Sequence, residues 1–359
     1  MKILRVCHTI PSVELPSASI QQYYINKYSK YKSIYFIRDQ NSELIFNLGQ
    51  KVFLFKNISS SQNIISKNIN KTFLNVKMIF SFFINIRKEI NIVHSHSINY
   101  MPFLIFVRFF TKNKTYLSLG GTDLYKLKKH KILIRILNIF DSIFVISDEF
   151  KEILKENKIQ NIINHYNGVD NEIFYNMNLQ RKDFFVSISN IRKVKDIETL
   201  IISFARFHQA YTSYKLIIIG KIYYDDYFNK LKKKINDLKI TESIIFTNSL
   251  KHQEISKILN ESKACLLTSE SEGFPKVIIE SISTETPVIA SDVGNISNIS
   301  DGCGLIVQKG DTVGFTNAML EITENDNLRK KFVSNCKSKF GLYDWVNLVK
   351  IIDDEYSKS

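Results

Sequence analysis

Short apolar runs rich in β-branched residues alternate with longer helical segments along the chain, and this alternation limits the folds open to it. The runs lack polar residues at alternate positions, so they predict parallel strands that are buried on both faces. In the first half the predicted strands are Ile3–Cys7, Ser33–Ile37, Val52–Phe55, Ile92–Ser95, Tyr116–Leu119 and Ile143–Ile146. In the second half they are Phe184–Ile188, Lys215–Ile219, Ile244–Phe246, Ala264–Leu267, Val288–Ala290 and Gly304–Val307.

The segments between these strands carry apolar residues at helical spacing. Ile197, Leu200, Ile201 and Phe204, for example, recur at positions i, i+3, i+4 and i+7, which is typical of a helix with one buried face. Alternating strands and helices predict the α/β fold class with doubly wound, Rossmann-like domains. Ligands of such domains bind at the carboxyl ends of the strands.

The chain has 359 residues, which is enough for two such domains. Asn167-Gly168 is a strong turn signal, and a new series of strands begins at Phe184. We therefore predict one Rossmann-like domain over residues 1–168 and a second over residues 169–340. Residues 341–359 are predicted to form a C-terminal helix that packs back on the first domain.

The chain is basic, with a formal net charge of +14. This charge favours anionic partners, namely nucleotide phosphates, an anionic membrane surface or nucleic acid; a lysine-rich surface in solvent is the alternative. No apolar run approaches the ~18–20 residues of a transmembrane helix, and no signal peptide is apparent. The four cysteines have no C-x-x-C spacing, which argues against a disulfide framework or a cysteine zinc site and favours the cytoplasm.

The most specific motif follows the predicted strand Ala264–Leu267. Glu272 and Glu280 are eight positions apart, and Gly273-Phe274-Pro275-Lys276 comes directly after the first glutamate. Proline suits the first position of a helix, where its missing N–H costs nothing. The free amides of that first turn and the helix dipole attract anions. The motif thus predicts a phosphate site between two carboxylates, with two ordinary surface glutamates as the alternative.

Two cations follow the predicted strand Phe184–Ile188. Arg192 and Lys195 lie between this strand and a helix that begins near Asp196, so we expect them at the carboxyl end of the strand. A bound pyrophosphate would need cations there. The alternative is that both are surface bases in solvent.

These motifs resemble the family 4 retaining glycosyltransferases, whose GT-B architecture has two Rossmann-like domains facing across a cleft. The E-x7-E element at Glu272 and Glu280 carries the resemblance, which covers most of the chain and is strongest from Asn167 to Val307. Further matching residues are Asn167-Gly168-Val169-Asp170, Phe174, Lys195 and Pro287-Val288.

The resemblance implies a role for each residue of the motif. In that family the second glutamate binds the ribose of the nucleotide, the first glutamate and the following amides contact sugar and phosphate, and the lysine holds the pyrophosphate. It therefore implies that the second domain binds a nucleotide-sugar donor and the first binds the acceptor. The predicted catalytic residues are Glu272, Lys195 and Arg192, and the predicted donor-binding residues are Gly273, Phe274, Pro275, Lys276, Glu280 and Asn190.

The chain departs from the family pattern at three places. Ser189-Asn190 stands where the family usually has Gly-Arg, and we expect Arg192 to supply the second cation. His8-Thr-Ile-Pro-Ser12 replaces the usual Gly-Gly pair after the first strand. Gly120-Gly121-Thr122-Asp123 lacks the histidine that often precedes Thr-Asp and contacts the donor sugar in the family.

Candidate contacts to the acceptor or the sugar lie in the first domain. His94 and His96 end a predicted strand at a position where the family often has histidines. Gly120 and Gly121 permit close approach of a ligand to the backbone, and Asp123 is suited to orient the acceptor. The alternatives are local hydrogen bonding by the histidines and a turn cap at Asp123.

No strict D-x-D sequence occurs in the chain, so we expect neither a metal requirement nor a cofactor. The donor sugar–phosphate bond would break toward an oxocarbenium-like state while Lys195, Arg192 and the Gly273–Phe274 amides stabilise the departing diphosphate. The resemblance implies retention of anomeric configuration. We find no carboxylate suited to be a covalent nucleophile, which favours attack of the acceptor on the same face.

The resemblance implies transfer of a hexose or N-acetylhexosamine to a lipid-linked glycan acceptor in surface polysaccharide biosynthesis (O-antigen, capsule or exopolysaccharide). Mixed lysines and apolar residues in Asn70–Lys88 and Tyr125–Arg135 would suit reversible docking on the anionic inner face of the plasma membrane. The alternative is that the apolar residues face the domain core and the lysines face water. Two alternatives stay open: a GT-B enzyme of other chemistry, such as a nucleotide-sugar epimerase, and a basic protein that binds membrane or nucleic acid. No nucleic-acid-binding motif is evident, so nucleic acid is not an expected partner.

Overall fold

A computed structural model describes residues 5–10, 16–37, 51–55 and 64–358 of the chain. The chain divides between Asn167 and Gly168 into two units. The second unit is Gly168–Asp344, and the residues from Trp345 onward belong to the first unit. The first two residues of the predicted strand Ile3–Cys7 lie outside the described part.

The described residues form thirteen strands. Those of the first unit are β1 (Arg5–Ile10), β2 (Lys32–Ile37), β3 (Lys51–Leu54), β4 (Ile92–Ser95), β5 (Lys114–Leu119), β6 (Ser142–Val145) and β7 (Ile162–Asn164). Those of the second unit are β8 (Phe184–Ile188), β9 (Lys215–Ile219), β10 (Ile244–Thr247), β11 (Cys265–Leu267), β12 (Val288–Ser291) and β13 (Gly304–Val307).

The α-helices that the described residues form lie between and after these strands. They are α1 (Pro16–Tyr28), α2 (Ile64–Ser81), α3 (Met101–Phe110), α4 (Gly121–Lys129), α5 (Lys131–Ile136), α6 (Asp148–Glu156), α7 (Ile197–Ala210), α8 (Asp225–Asp237), α9 (His252–Glu261), α10 (Lys276–Ser283), α11 (Ile296–Ser300), α12 (Thr312–Glu324), α13 (Asp326–Ser338) and α14 (Trp345–Ser357).

Each unit has one sheet whose pairs of neighbouring strands are all parallel. The order in the first unit is β3-β2-β1-β4-β5-β6-β7, and the order in the second is β10-β9-β8-β11-β12-β13. The strand order therefore reverses between β1 and β4 and between β8 and β11. Doubly wound sheets bind ligands at such reversals. The sheets confirm the predicted α/β class with two doubly wound units.

The periodicity of the sequence reappears in the burial of side chains. Leu200, Ile201 and Phe204 of α7 are fully buried and pack in one cluster with Phe185 of β8, because the apolar face of the helix covers the sheet. The short strand β7 was not predicted. Its side chains are only half-buried, so it lacks the uniform burial that produces a continuous apolar run.

The last helix, α14, packs in the first unit against α1. Trp345 is buried and stacks on Tyr24 with ring centroids 5.1 Å apart. Ile352 and Tyr356 are also fully buried and join a cluster with Ile25. This packing covers a face of the first sheet with residues from both ends of the chain.

Candidate active site

Two predicted catalytic residues meet at the strand-order reversal of the second unit. Lys195 ends a short 3₁₀ turn after β8, and Glu272 lies in the loop after β11. The Lys195 Nζ lies 2.5 Å from Glu272 Oε1, and the Ser269 hydroxyl donates to the same oxygen over 2.6 Å. The two charged side chains are only 23% and 11% exposed, so water screens their attraction less than it would at the surface.

Further hydrogen bonds join the loops that carry this pair. The Thr268 hydroxyl lies 3.1 Å from the carbonyl of Lys195 and 2.9 Å from that of Asp196. The Glu270 amide donates to the Val194 carbonyl over 2.9 Å. Asp196 has a left-handed backbone conformation (φ 43°) and caps α7 by accepting from the Thr199 amide. The position of Lys195 is therefore set by the loop that carries Glu272.

Gly294, in the loop after β12, lies against the backbone of Glu272. Its φ is +59°, and a Cβ atom at this position would lie 2.1 Å from the Glu272 carbonyl oxygen. A side chain would therefore displace the glutamate loop as well as strain the backbone. Neither Gly294 nor Ser269 was predicted from the sequence to be a site residue. The spacing of the two glutamates signals the motif, whereas one serine or glycine in a loop is not distinctive.

Arg192 has a different partner from Lys195. Its guanidinium carbon lies 3.8 Å from the centroid of the Tyr223 ring, which is a cation–π contact. Its Nε is buried without a hydrogen-bond partner among the described residues. Asn190, which the sequence placed with the donor-binding residues, is exposed. The guanidinium therefore has an unused hydrogen-bond donor.

Helix α10 holds the second glutamate of the motif. Pro275 is the N-cap residue and Lys276 is the first residue of the helix. The helix therefore begins one residue later than predicted. Gly273 is exposed. The ring of Phe274 is buried, and its centroid lies 6.1 Å from that of Tyr343.

Burial raises the pKa of the Glu280 carboxyl to about 7, although the charge of Lys276 lowers it. Burial also lowers the pKa of the Lys276 ammonium, against the charge of Glu280. Near neutral pH Glu280 is therefore divided between its protonated and ionised forms. A ligand that donates hydrogen bonds to this carboxylate would favour the ionised form.

The candidate histidines of the first unit lie at its own strand-order reversal. His94 is fully buried; its Nδ1 contacts the Tyr356 hydroxyl, and its Nε2 lies 2.7 Å from the Ser118 hydroxyl oxygen. His96 Nε2 lies 3.0 Å from Nδ1 of His8. His8 was noted only within the segment that replaces the Gly-Gly pair and was not a candidate contact, since the sequence alone does not pair β1 with β4.

Asp123 is buried at the start of α4, which begins at Gly121. Its Oδ2 accepts from the Gly120 amide over 3.1 Å, and its Oδ1 lies 3.7 Å from the Lys126 ammonium. Burial raises the pKa of this carboxyl, with the Gly120 amide and Lys126 acting in the opposite direction. The contacts of Asp123 are those of a helix cap.

Residues 169–339 match the family of glycosyl transferases group 1, a range that includes the whole candidate site of the second unit. An uncharacterized glycosyltransferase of Methanocaldococcus jannaschii is 29% identical over 223 residues, 61% of this chain and 60% of that protein. A Campylobacter jejuni enzyme is 24% identical over 192 residues, 52% of this chain and 50% of that enzyme. It is named N-acetylgalactosamine-N,N'-diacetylbacillosaminyl-diphospho-undecaprenol 4-alpha-N-acetylgalactosaminyltransferase. The chain thus spans 50–60% of the length of these relatives.

Crystal structures of the Anabaena protein HepE are similar over nearly the whole chain. The complex with UDP gives a TM-score of 0.82, and the complex with UDP-glucose gives 0.76. Each is 14% identical and covers 99% of this chain and 100% of HepE. This likeness confirms the GT-B fold. The family match and the names of the relatives support a GT-B glycosyltransferase.

Proposed function

We propose that this chain is a retaining, metal-independent family 4 glycosyltransferase that transfers a hexose or N-acetylhexosamine from a nucleotide diphosphate sugar. The observation that carries the proposal is the contact of Lys195 and Ser269 with Glu272. It lies at the strand-order reversal, within the part that matches glycosyl transferases group 1. A sheet reversal is where a doubly wound domain binds a nucleotide.

The proposed donor would place its diphosphate between Lys195 and the start of α10. The lysine would exchange part of its interaction with Glu272 for the phosphate charge, which grows as the sugar–phosphate bond breaks. Glu272 and Ser269 would then face the sugar, and the Glu280 carboxylate would accept from the ribose hydroxyls. The acceptor hydroxyl would attack on the face that the diphosphate leaves, and the diphosphate would take its proton.

A thermal-shift panel of UDP, GDP, ADP and their sugars tests the donor class. One nucleotide diphosphate is expected to raise the unfolding temperature, because a ligand at 100 times its Kd stabilises the folded state by ~2.7 kcal/mol. The matching nucleoside, which lacks the diphosphate, serves as the control and is expected to give a much smaller shift. Equal shifts of the unfolding temperature for all nucleosides and nucleotides would contradict a site that specifically binds the diphosphate. Conversion of the donor into another nucleotide sugar without any acceptor would indicate epimerase-type chemistry.

Transfer is expected to continue at its full rate in excess EDTA. The proposed mechanism stabilises the diphosphate through Lys195, Arg192 and the start of α10, so the chemistry has no step that needs a divalent cation. The measurement compares initial rates of transfer by chelator-treated protein with and without added Mn²⁺. Complete loss of activity in EDTA that Mn²⁺ restores would contradict metal-independent transfer.

We further propose that the acceptor is a lipid-linked glycan of surface polysaccharide biosynthesis and that the protein is cytoplasmic and peripheral on the inner face of the plasma membrane. The C. jejuni relative is named for an undecaprenol diphosphate acceptor. No helix that the structure describes is long and apolar enough to span a bilayer. The proposed contact is therefore a surface one.

Exposed apolar side chains on α2 and at the end of α3 support this contact. Exposed side chains along one face of α2 and the π-helical turn after it are Phe73, Val76, Phe80 and Ile84. Phe83 joins this face to α3, since its ring lies 5.5 Å from that of Phe106, which stacks on Phe110. The α2–α3 surface consists of Phe73, Val76, Phe80, Phe83, Ile84, Phe106, Phe109 and Phe110.

Basic side chains border the α2–α3 surface. Arg87 lies over the ring of Phe83, and Arg87 and Lys112 line a shallow pocket with Phe109 and Phe110. Such a surface fits an anionic bilayer, with apolar groups at the acyl boundary and cations at the headgroups. The second predicted segment, Tyr125–Arg135, contributes less, because Leu127 and Ile134 are core residues while Ile132 is 72% exposed.

Liposome flotation at low salt is expected to recover the protein with anionic vesicles and much less of it with neutral ones. Phe80→Ser and Phe109→Ser are each expected to weaken binding about 10-fold or more, because inserting one phenylalanine side chain contributes ~1.5–3 kcal/mol. Phe340→Ser removes an exposed phenylalanine of the second unit and is the matched control. Equal recovery with neutral and anionic vesicles would contradict docking but not glycosyl transfer.

A further inference from the structure

Three histidines of the first unit lie together on one face of its sheet. His8 of β1 and His94 of β4 are neighbours in the parallel register. His96 comes two residues after His94, so its side chain returns to the same face. β1 and β4 flank the point where the strand order reverses, which is the part of a doubly wound sheet where ligands bind.

The three rings are close enough to share one ion. One ring nitrogen of each histidine lies within 4.8 Å of those of the other two, and His8 Nδ1 lies 3.0 Å from His96 Nε2. Nitrogens bound to a tetrahedral zinc at 2.0–2.1 Å would lie roughly 3.3 Å from one another. Small rotations of the side chains would bring the rings to that spacing.

Two nitrogens of this cluster have no hydrogen-bond partner in the described part of the chain. They are His8 Nε2 and His96 Nδ1, and both are buried. A buried polar atom without a partner costs roughly 1–3 kcal/mol, and such atoms in a folded protein often indicate an ion or water at the site. Rotating a ring by 180° about its Cβ–Cγ bond exchanges Nδ1 with Cδ2 and Nε2 with Cε1, so such a rotation would change which ring atom faces an ion.

His94 is already held in an orientation suited to a ligand. Its Nδ1 contacts the Tyr356 hydroxyl of α14. A metal-bound histidine usually gives its other ring N–H to such a partner, which fixes the ring. With Nδ1–H donated to Tyr356, Nε2 would have its lone pair free for a metal in place of the Ser118 hydroxyl, which lies 2.7 Å away.

We propose that His8, His94 and His96 bind one Zn²⁺ in the first unit. The group consists of imidazoles alone, a ligand set that suits zinc, copper or nickel and not the oxygen-seeking Mg²⁺ and Ca²⁺. The ion would tie β1 to β4, and three protein ligands would leave a fourth position open for water or another ligand. The three histidines belong to the first unit, whereas Lys195 and Glu272 belong to the second, so zinc titration tests the ion site without reference to the proposed glycosyl transfer.

Calorimetric titration of chelator-stripped, full-length protein with ZnCl₂ tests this site. One ion per chain is expected to bind with a Kd of about 1 µM or tighter. His8→Asn and His96→Asn are each expected to weaken binding at least about 10-fold, since changes to outer-shell partners alone cost that much. His130→Asn removes an exposed histidine of the same unit and is expected to leave the isotherm unchanged.

Binding that is no tighter than that of the His8→Asn, His96→Asn double variant would overturn the zinc site, as would an equal loss in His130→Asn. If the variants fail to fold, Co²⁺ added to the wild-type protein decides the question. A four-coordinate nitrogen site gives strong visible absorption, and a spectrum of hexaaqua Co²⁺ would overturn the proposal. Failure of the nucleotide panel would contradict the proposed function while leaving the zinc isotherm unchanged.

Discussion

Lys195→Ala is expected to lower kcat/KM for glycosyl transfer by about 100-fold or more, ~2.7 kcal/mol of transition-state stabilisation. The ammonium lies against Glu272 at the end of β8, and in the proposed mechanism it meets the charge that develops on the departing diphosphate. The variant loses this preorganised cation. It also leaves the Glu272 carboxylate partly buried with the Ser269 hydroxyl, which disfavours an additional anion at the site.

Lys193→Ala is the matched control for this measurement. Lys193 is exposed and belongs to the same 3₁₀ turn as Lys195, so its removal takes one positive charge from the same loop without touching Glu272. Steady-state kinetics of both variants are measured after their unfolding temperatures are shown to match that of the wild type. Near-wild-type kinetics of Lys195→Ala, or an equal loss in Lys193→Ala, would remove Lys195 from the catalytic residues.

Much of the fold could be predicted because buried parallel strands appear in the sequence as short apolar runs. Phe184–Ile188, Lys215–Ile219, Ile92–Ser95 and Gly304–Val307 have the predicted bounds, because each contains a short apolar run of the kind typical of parallel strands in doubly wound sheets. β7 was missed because it is short and its apolar run has only two residues, Ile162 and Ile163. Its three residues, Ile162–Asn164, include a polar one.

The candidate site was predicted less completely than the fold. Glu272, Glu280 and Lys195 could be selected because their spacing follows strands that the pattern locates. Ser269 and Gly294 contact Glu272, but they are recognised only once the loops are folded, because many serines and glycines occur in loops. The sequence also did not reveal that His8, His94 and His96 lie together. The pairing of β1 with β4 brings His8 next to His96, which is 88 positions away in the chain.

Glu280→Gln is expected to stabilise the protein above neutral pH while it weakens donor binding. The raised pKa of about 7, compared with 4.5 for an ordinary glutamate, means that the folded state binds this proton more tightly than the unfolded state. Between those two values the free energy of unfolding therefore falls as pH rises. Glutamine carries no charge to desolvate, so the stability of the variant relative to wild type should grow by roughly 2–3 kcal/mol between pH 5 and pH 8.

Urea unfolding at the two pH values measures the stability effect, and donor KM measures the functional one. Donor KM is expected to rise about 10-fold or more in Glu280→Gln, because hydrogen bonds to a charged group contribute roughly 1.5–3 kcal/mol. Glu272→Ala is expected to lower kcat with a smaller change in donor KM. Glu270→Gln changes an exposed glutamate of the preceding loop and is the control for the loss of one negative charge. If Glu280→Gln kept the wild-type pH dependence of the unfolding free energy, burial would not raise the pKa of the Glu280 carboxyl. If it also kept the wild-type donor KM, the carboxylate would not contact the donor.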